Sequence, residues 1–187
     1  MKRPEPDLDH RYGKVINTLV PSTSIVRNDR MDVNEKSPLD IDHLIPHRAP
    51  LRLIDRILQA DNDHLEAIAV VKKTWPLCSS EGTDVILAIE VIAQAAAALH
   101  GYRKGWQDEP RVGFLVGIRD ARFYVQYLPL KAELTVNVKI VSLLGNYCVF
   151  KGEVRLADEL ICKAQVQAIE PDDEMFGKLV QGRQEKV

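Results

Sequence analysis

Glu90 and Gln94 are the two polar side chains in the first four turns of an otherwise apolar stretch, DVILAIEVIAQAAAALHGYR, residues 84–103. Four residues apart, they share one face if the stretch is helical. A carboxylate among apolar side chains is costly to bury without a partner, so Glu90 marks either a structural hydrogen bond or chemistry. The chemistry open to it is proton transfer, which needs a second titratable group to divide the roles of acid and base. His47, in the word LIPHRAP (44–50), either supplies that group or is a structural histidine tying a short helix to a sheet. His100 lies ten residues after Glu90, which at about 100° and 1.5 Å per residue is some 80° round the helix and roughly 15 Å along it, at the helix end. His43 and His64 are expected on surface turns. Cys78 would be a nucleophile only in an unusual variant.

These residues need elements to position them. A helix that is apolar nearly all round belongs inside a protein, with Thr83 or Asp84 as the expected N-cap and Gly101 and Gly105 punctuating its end. Upstream, Ser37 or Asp40 can cap a short helix that stops before Pro46. Residues 51–60 and 64–72 read as two strands joined by the turn Asp61-Asn62-Asp63. The polar stretch 73–83 crosses to the helix. Beyond Pro110, residues 111–125 read as strand and 127–131 as turn. Residues 133–144 alternate Leu134, Val136, Val138 and Ile140 against Thr135, Asn137 and Lys139, a period of two. Gly145-Asn146 turns the chain into 147–156, and Ala157-Asp158 into 160–169. Strands of about ten residues run roughly 33 Å, long enough to curl round a helix of that length. The expected class is α+β, a curved antiparallel sheet around one long buried helix, with open edges that favour pairing of two subunits.

The chain of 187 residues fits one domain, 37–171, with a loosely ordered extension at 1–36 and a tail at 172–187. A formal net charge of −2 argues against nucleic acid or an anionic membrane as principal partner. Three scattered cysteines, with no C-x-x-C and no zinc-like Cys/His spacing, predict neither a disulfide framework nor a metal site. No cofactor is expected. The first residues lack the apolar core of a signal peptide, and Glu90 and Gln94 break the longest apolar run, so a cytoplasmic protein without a membrane span is expected.

Four words stand in register with these elements: LIPHRAP (44–50), LIDRI (53–57), IEVIAQA (89–95) and FLVGIRDARF (114–123). Together they resemble the hot-dog-fold 3-hydroxyacyl-[acyl-carrier-protein] dehydratases from about residue 39 to 169. The resemblance implies a hot-dog fold, two protomers sharing a sheet and acyl tunnels, and removal of water from a 3-hydroxyacyl thioester to give the trans-2-enoyl thioester. The acyl group would arrive on acyl carrier protein or coenzyme A. The helix carboxylate of the family falls on Glu90 and is implied to work with a histidine of the partner protomer, but the Gly-His-Phe-Pro word that carries the family's catalytic histidine does not occur on the crossing, where Trp75-Pro76-Leu77-Cys78 stands. The chain is more similar to a divergent branch from aryl-polyene clusters, which also lacks that word.

On this resemblance Glu90 is the expected catalytic residue; His47, whose counterpart in the classical enzymes is not the catalytic histidine, is the candidate second group from its place in the chain. Gln94 would orient Glu90 or contact the thioester, and Phe114 and Gly117 would flank it where residues 113–117 offer backbone N–H groups to the carbonyl. Arg119 and Arg122 either meet the phosphopantetheine or carrier protein or form a solvated face. The competing readings are a catalytically silent hot-dog subunit that binds acyl carrier protein or completes a heterodimer with an active paralogue, and a thioesterase.

Overall fold

In the computed structural model, which describes residues 31–32, 39–105 and 113–172, the apolar stretch forms one long helix, α1 (Leu87–Lys104). Its run of four alanines and the absence of Gly or Pro before Gly101 favour helix. Gly105, at φ 79°, ends it, its N–H reaching the Tyr102 carbonyl. The expected N-cap is corrected. Thr83 and Asp84 form a two-residue strand, β4 (Thr83–Asp84), paired with β6 (Tyr127–Leu128), and the N-cap position falls to Ile86, which makes no side-chain bond. Asp84 instead accepts from the Ile86 N–H at 2.9 Å. The same pairing corrects the expected turn at 127–131: Tyr127 and Leu128 are strand, and the chain turns just after them, with Lys131 at φ 66°.

The remaining strands are β1 (Met31–Asp32), β2 (Arg56–Ala60), β3 (His64–Val70), β5 (Phe114–Phe123), β7 (Glu133–Leu144), β8 (Tyr147–Leu156) and β9 (Glu159–Ile169). They make one antiparallel sheet in the order β1-β2-β3-β7-β8-β9-β5. The alternation read in 133–144 holds where the sheet covers the helix: Leu134, Val136 and Val138 are buried, whereas Thr135, Asn137 and Lys139 are not. Gly152 of β8 lets Ile92 touch the sheet, since a Cβ there would lie 2.3 Å from Ile92 Cγ2.

The first expected hairpin is shorter than read. Residues 51–55 are not strand; they lie along the helix, with Leu53 and Ile54 buried beside it. Met31 and Asp32, within the stretch expected as extension, pair with Ala60 and Gln59 at the sheet edge. Residues 1–30, 33–38, 106–112 and 173–187 lie outside the described residues. At the opposite edge β5 leaves Phe114, Leu115, Val116, Ile118 and Phe123 exposed.

Candidate active site

Gln94 is 0% exposed, and its three side-chain hydrogen bonds go to two places. Its Oε1 accepts from the Leu53 N–H at 2.8 Å, and its Nε2 donates to the Leu51 carbonyl and to Glu90 Oε1, each at 2.8 Å. The side chain thus fastens residues 51–53 to α1 and aims the Glu90 carboxylate. The i, i+4 spacing read from sequence produces this contact. Glu90 itself is not buried in the core: its side chain is 41% exposed.

His47 Nε2 stands 3.5 Å from the same Glu90 oxygen. A 3₁₀ helix at Ile41–His43, N-capped by Asp40, leads into the loop that carries it. Arg48 braces that loop by donating to the Ile45 and His47 carbonyls at 2.8 and 2.9 Å and to the Asp42 carbonyl at 2.9 Å. The loop approaches α1 at Gly101, where a Cβ would lie 2.7 Å from the Leu44 carbonyl oxygen. Gly101→Ala is therefore expected to push the His47 loop off the helix, lowering stability by about 1–3 kcal/mol. Displacement of His47 should also slow the activity proposed below by roughly tenfold to a hundredfold. Thermal melting and kcat measured on the same preparation check both, and wild-type values in both would sink the idea.

Glu90 and His47 open onto a cavity of about 200 Å³. Ala93 and Ala97 of α1 line it, with Phe114, Phe150 and Val166 from the sheet. Its other end is polar. His100 Nε2 lies 2.6 Å from Glu170 Oε2, Lys104 Nζ lies 3.2 Å from the same oxygen, and Cys148 Sγ lies 3.8 Å from His100 Nδ1. Glu170 is 9% exposed. Burial first, and Glu170 second, push the Cys148 thiol up, so it is a poor nucleophile at neutral pH. Burial likewise pushes Cys162 up to about 12.

The sequence-based residues thus divide. Glu90, His47 and Phe114 meet at the cavity; Gln94 stands behind Glu90 and does not line it; Gly117 sits against Gln167 on β5, away from it. Two placements are corrected. His43 lines the cavity rather than a surface turn, and His64 is in β3, 3.1 Å from Asn137. Arg119 and Arg122 are exposed on β5 and do not line the cavity. Nor does Cys78, whose Sγ lies 3.7 Å from the Ser79 carbonyl. His100 was legible as a helix-end residue, but its pairing with Glu170, seventy residues away, had no local signal. Among the described residues no group of His, Cys, Asp and Glu could hold a metal ion, and no helix is long and apolar enough to cross a membrane.

Comparison with known proteins agrees with this architecture. A protein-family profile described as ApeP-like, ApeP dehydratase, matches residues 39–180. The 3-hydroxyacyl-[acyl-carrier-protein] dehydratase FabZ of Coxiella burnetii is 31% identical over 147 residues, covering 73% of this chain and 99% of that protein. The FabZ of Paracidovorax citrulli is 29% identical over 130 residues, 66% of this chain and 88% of its own length. Among solved structures, the dehydratase heterocomplex ApeI:P from Xenorhabdus doucetiae matches with a TM-score of 0.69 at 20% identity, covering 76% of this chain and 97% of that one. The sheet wrapped on one long helix is accordingly the hot-dog fold. With the family profile spanning most of the chain, this protein belongs to the ApeP-like dehydratase family, related to the FabZ 3-hydroxyacyl-[acyl-carrier-protein] dehydratases.

Proposed function

We propose that the chain removes water from a 3-hydroxyacyl thioester, carried on acyl carrier protein or coenzyme A, to give the trans-2-enoyl thioester in fatty-acid or polyene synthesis. The observation that carries this reading is the His47–Glu90 pair, 3.5 Å apart on the wall of a cavity lined mainly by apolar side chains, with Glu90 held by Gln94. The pair works with one mobile proton between its members. His47 Nε2 takes the proton from C2, beside the thioester carbonyl; the C2–H electron pair forms the C2=C3 bond as the C3–O bond breaks. Glu90 gives its proton to the departing hydroxyl, which leaves as water. Transfer from imidazolium to carboxylate across the pair then restores the starting state. Contacts of this kind are often loose without substrate and tighten around it. Phe114, which lines the cavity, would wall the acyl chain, and backbone N–H groups within 113–117 would serve the carbonyl.

The apolar edge of β5 supports assembly with a second hot-dog subunit, a copy of this chain or a related one. The proposed reaction needs no cofactor, and acyl thioesters of this kind fit a cytoplasmic protein. A second reading, a silent subunit that binds carrier protein or completes an active paralogue, is favoured by one observation: the crossing 75–78 carries no histidine.

The test is to incubate purified protein with a 3-hydroxyacyl carrier-protein thioester and follow enoyl product and free thiol together. Enoyl product without thiol is expected, and His47→Ala should reduce its rate by about 10²-fold or more. Thiol release would indicate a thioesterase. Carrier binding with neither product would indicate the silent subunit. A His47→Ala variant with wild-type turnover would move the second proton-transfer group elsewhere.

A further inference from the structure

The cavity has two polar ends, and the dehydration chemistry uses one. Along α1, Glu90, Ala93, Ala97, Gly101 and Lys104 recur at helical spacing on one face, with His100 beside them. From Glu90 to His100 is about 15 Å along the axis. Between them Ala93 and Ala97 present only methyl groups, so an acyl chain can lie against the helix and extend to the far end.

What it meets there is charged. Glu170, 9% exposed, is held by His100 at 2.6 Å and Lys104 at 3.2 Å, and all three line the cavity. A chain ending in a methyl would strip water from this group and return no hydrogen bond, which costs binding energy. A chain ending in a hydroxyl meets the opposite situation. In the neutral tautomer that donates from Nε2 to Glu170, Nδ1 of His100 is an acceptor, and its contact is the 3.8 Å approach of the Cys148 thiol, a weak donor. The Lys104 ammonium has three N–H groups, of which Glu170 takes one. A terminal hydroxyl can therefore donate to His100 Nδ1 and accept from Lys104.

We propose that His100 and Lys104, positioned by Glu170, form a specificity subsite for acyl chains that carry a hydroxyl at their far end. The inference rests on the reading of this cavity as the acyl channel, and it assigns the substrate class rather than the reaction.

The experiment uses the full chain and two probes, the pantetheine amides of dodecanoic acid and of 12-hydroxydodecanoic acid, in which an amide replaces the reactive thioester. Calorimetric titration is expected to show the hydroxyl-tipped probe binding about tenfold tighter, the effect of one hydrogen bond to a charged group. Lys104→Met and His100→Phe, checked for folding by circular dichroism, should each abolish the preference. Equal binding of the two probes by wild type, binding of neither, or a folded Lys104→Met that keeps the preference overturns the subsite. Turnover of a 3-hydroxybutanoyl thioester, too short to reach the far end, is measured separately. No turnover with the binding preference intact would sink the dehydratase reading and leave the subsite standing; turnover without preference does the reverse.

Discussion

Glu90→Gln is expected to lower kcat for enoyl formation by about 10²- to 10⁴-fold, the usual contribution of a positioned acid or base. The substitution isolates the proton. Glutamine has the volume of glutamate, and its amide oxygen can still accept from Gln94 Nε2, now 2.8 Å from the carboxylate. What it cannot do is supply the proton that the proposed mechanism gives to the departing hydroxyl and recovers from His47, 3.5 Å away. With the side chain 41% exposed, little core packing changes, so melting temperature should stay within about 2 °C of wild type, as for most exposed substitutions. Stopped-assay kinetics on carrier-protein thioester and a thermal melt are the two measurements. A variant that turns over at the wild-type rate would remove Glu90 from the chemistry and reduce it to a brace for the helix. A collapse in melting temperature would show that the activity loss reports folding instead.

The fold was readable because its periods are unmixed. The two-residue alternation of 133–144 and the long apolar run of α1 each specify one element, and the sheet forms where the alternation puts Leu134, Val136 and Val138 on the helix side. The start of α1 was not readable for a tertiary reason. Thr83 and Asp84 have good capping side chains, yet their backbone is taken by Leu128 and Tyr127, more than forty residues on. Local propensity lost to strand pairing there. The mouth of the site was legible from the word LIPHRAP and the Glu90/Gln94 spacing, and the contact between His47 and Glu90 joins them. Its far end was not: His100, Lys104 and Glu170 become a group only when β9 ends beside the last turns of α1, a relation no local pattern carries.

Gln94→Leu carries the largest expected effect on stability. Gln94 Oε1 is the partner of the Leu53 N–H, which lies on a residue 1% exposed, and Nε2 serves the Leu51 carbonyl. Leucine fills similar space but answers neither group. A buried donor left unpaired costs about 1–3 kcal/mol, and the partly buried carbonyl adds to it, so the variant should lose roughly 2–4 kcal/mol. For a chain of this size that is a fall in melting temperature of roughly 5–15 °C. Activity should fall as well, by a different route: without Nε2 the Glu90 carboxylate loses its 2.8 Å tether and is free to swing from His47. A looser catalytic pair costs turnover even where the protein remains folded, by roughly tenfold to a hundredfold. If Gln94→Leu melts like wild type, the bonds to Leu51 and Leu53 do not hold the 51–53 segment to the helix. If it is destabilised yet turns over at the full rate, Gln94 fastens the segment but does not aim Glu90.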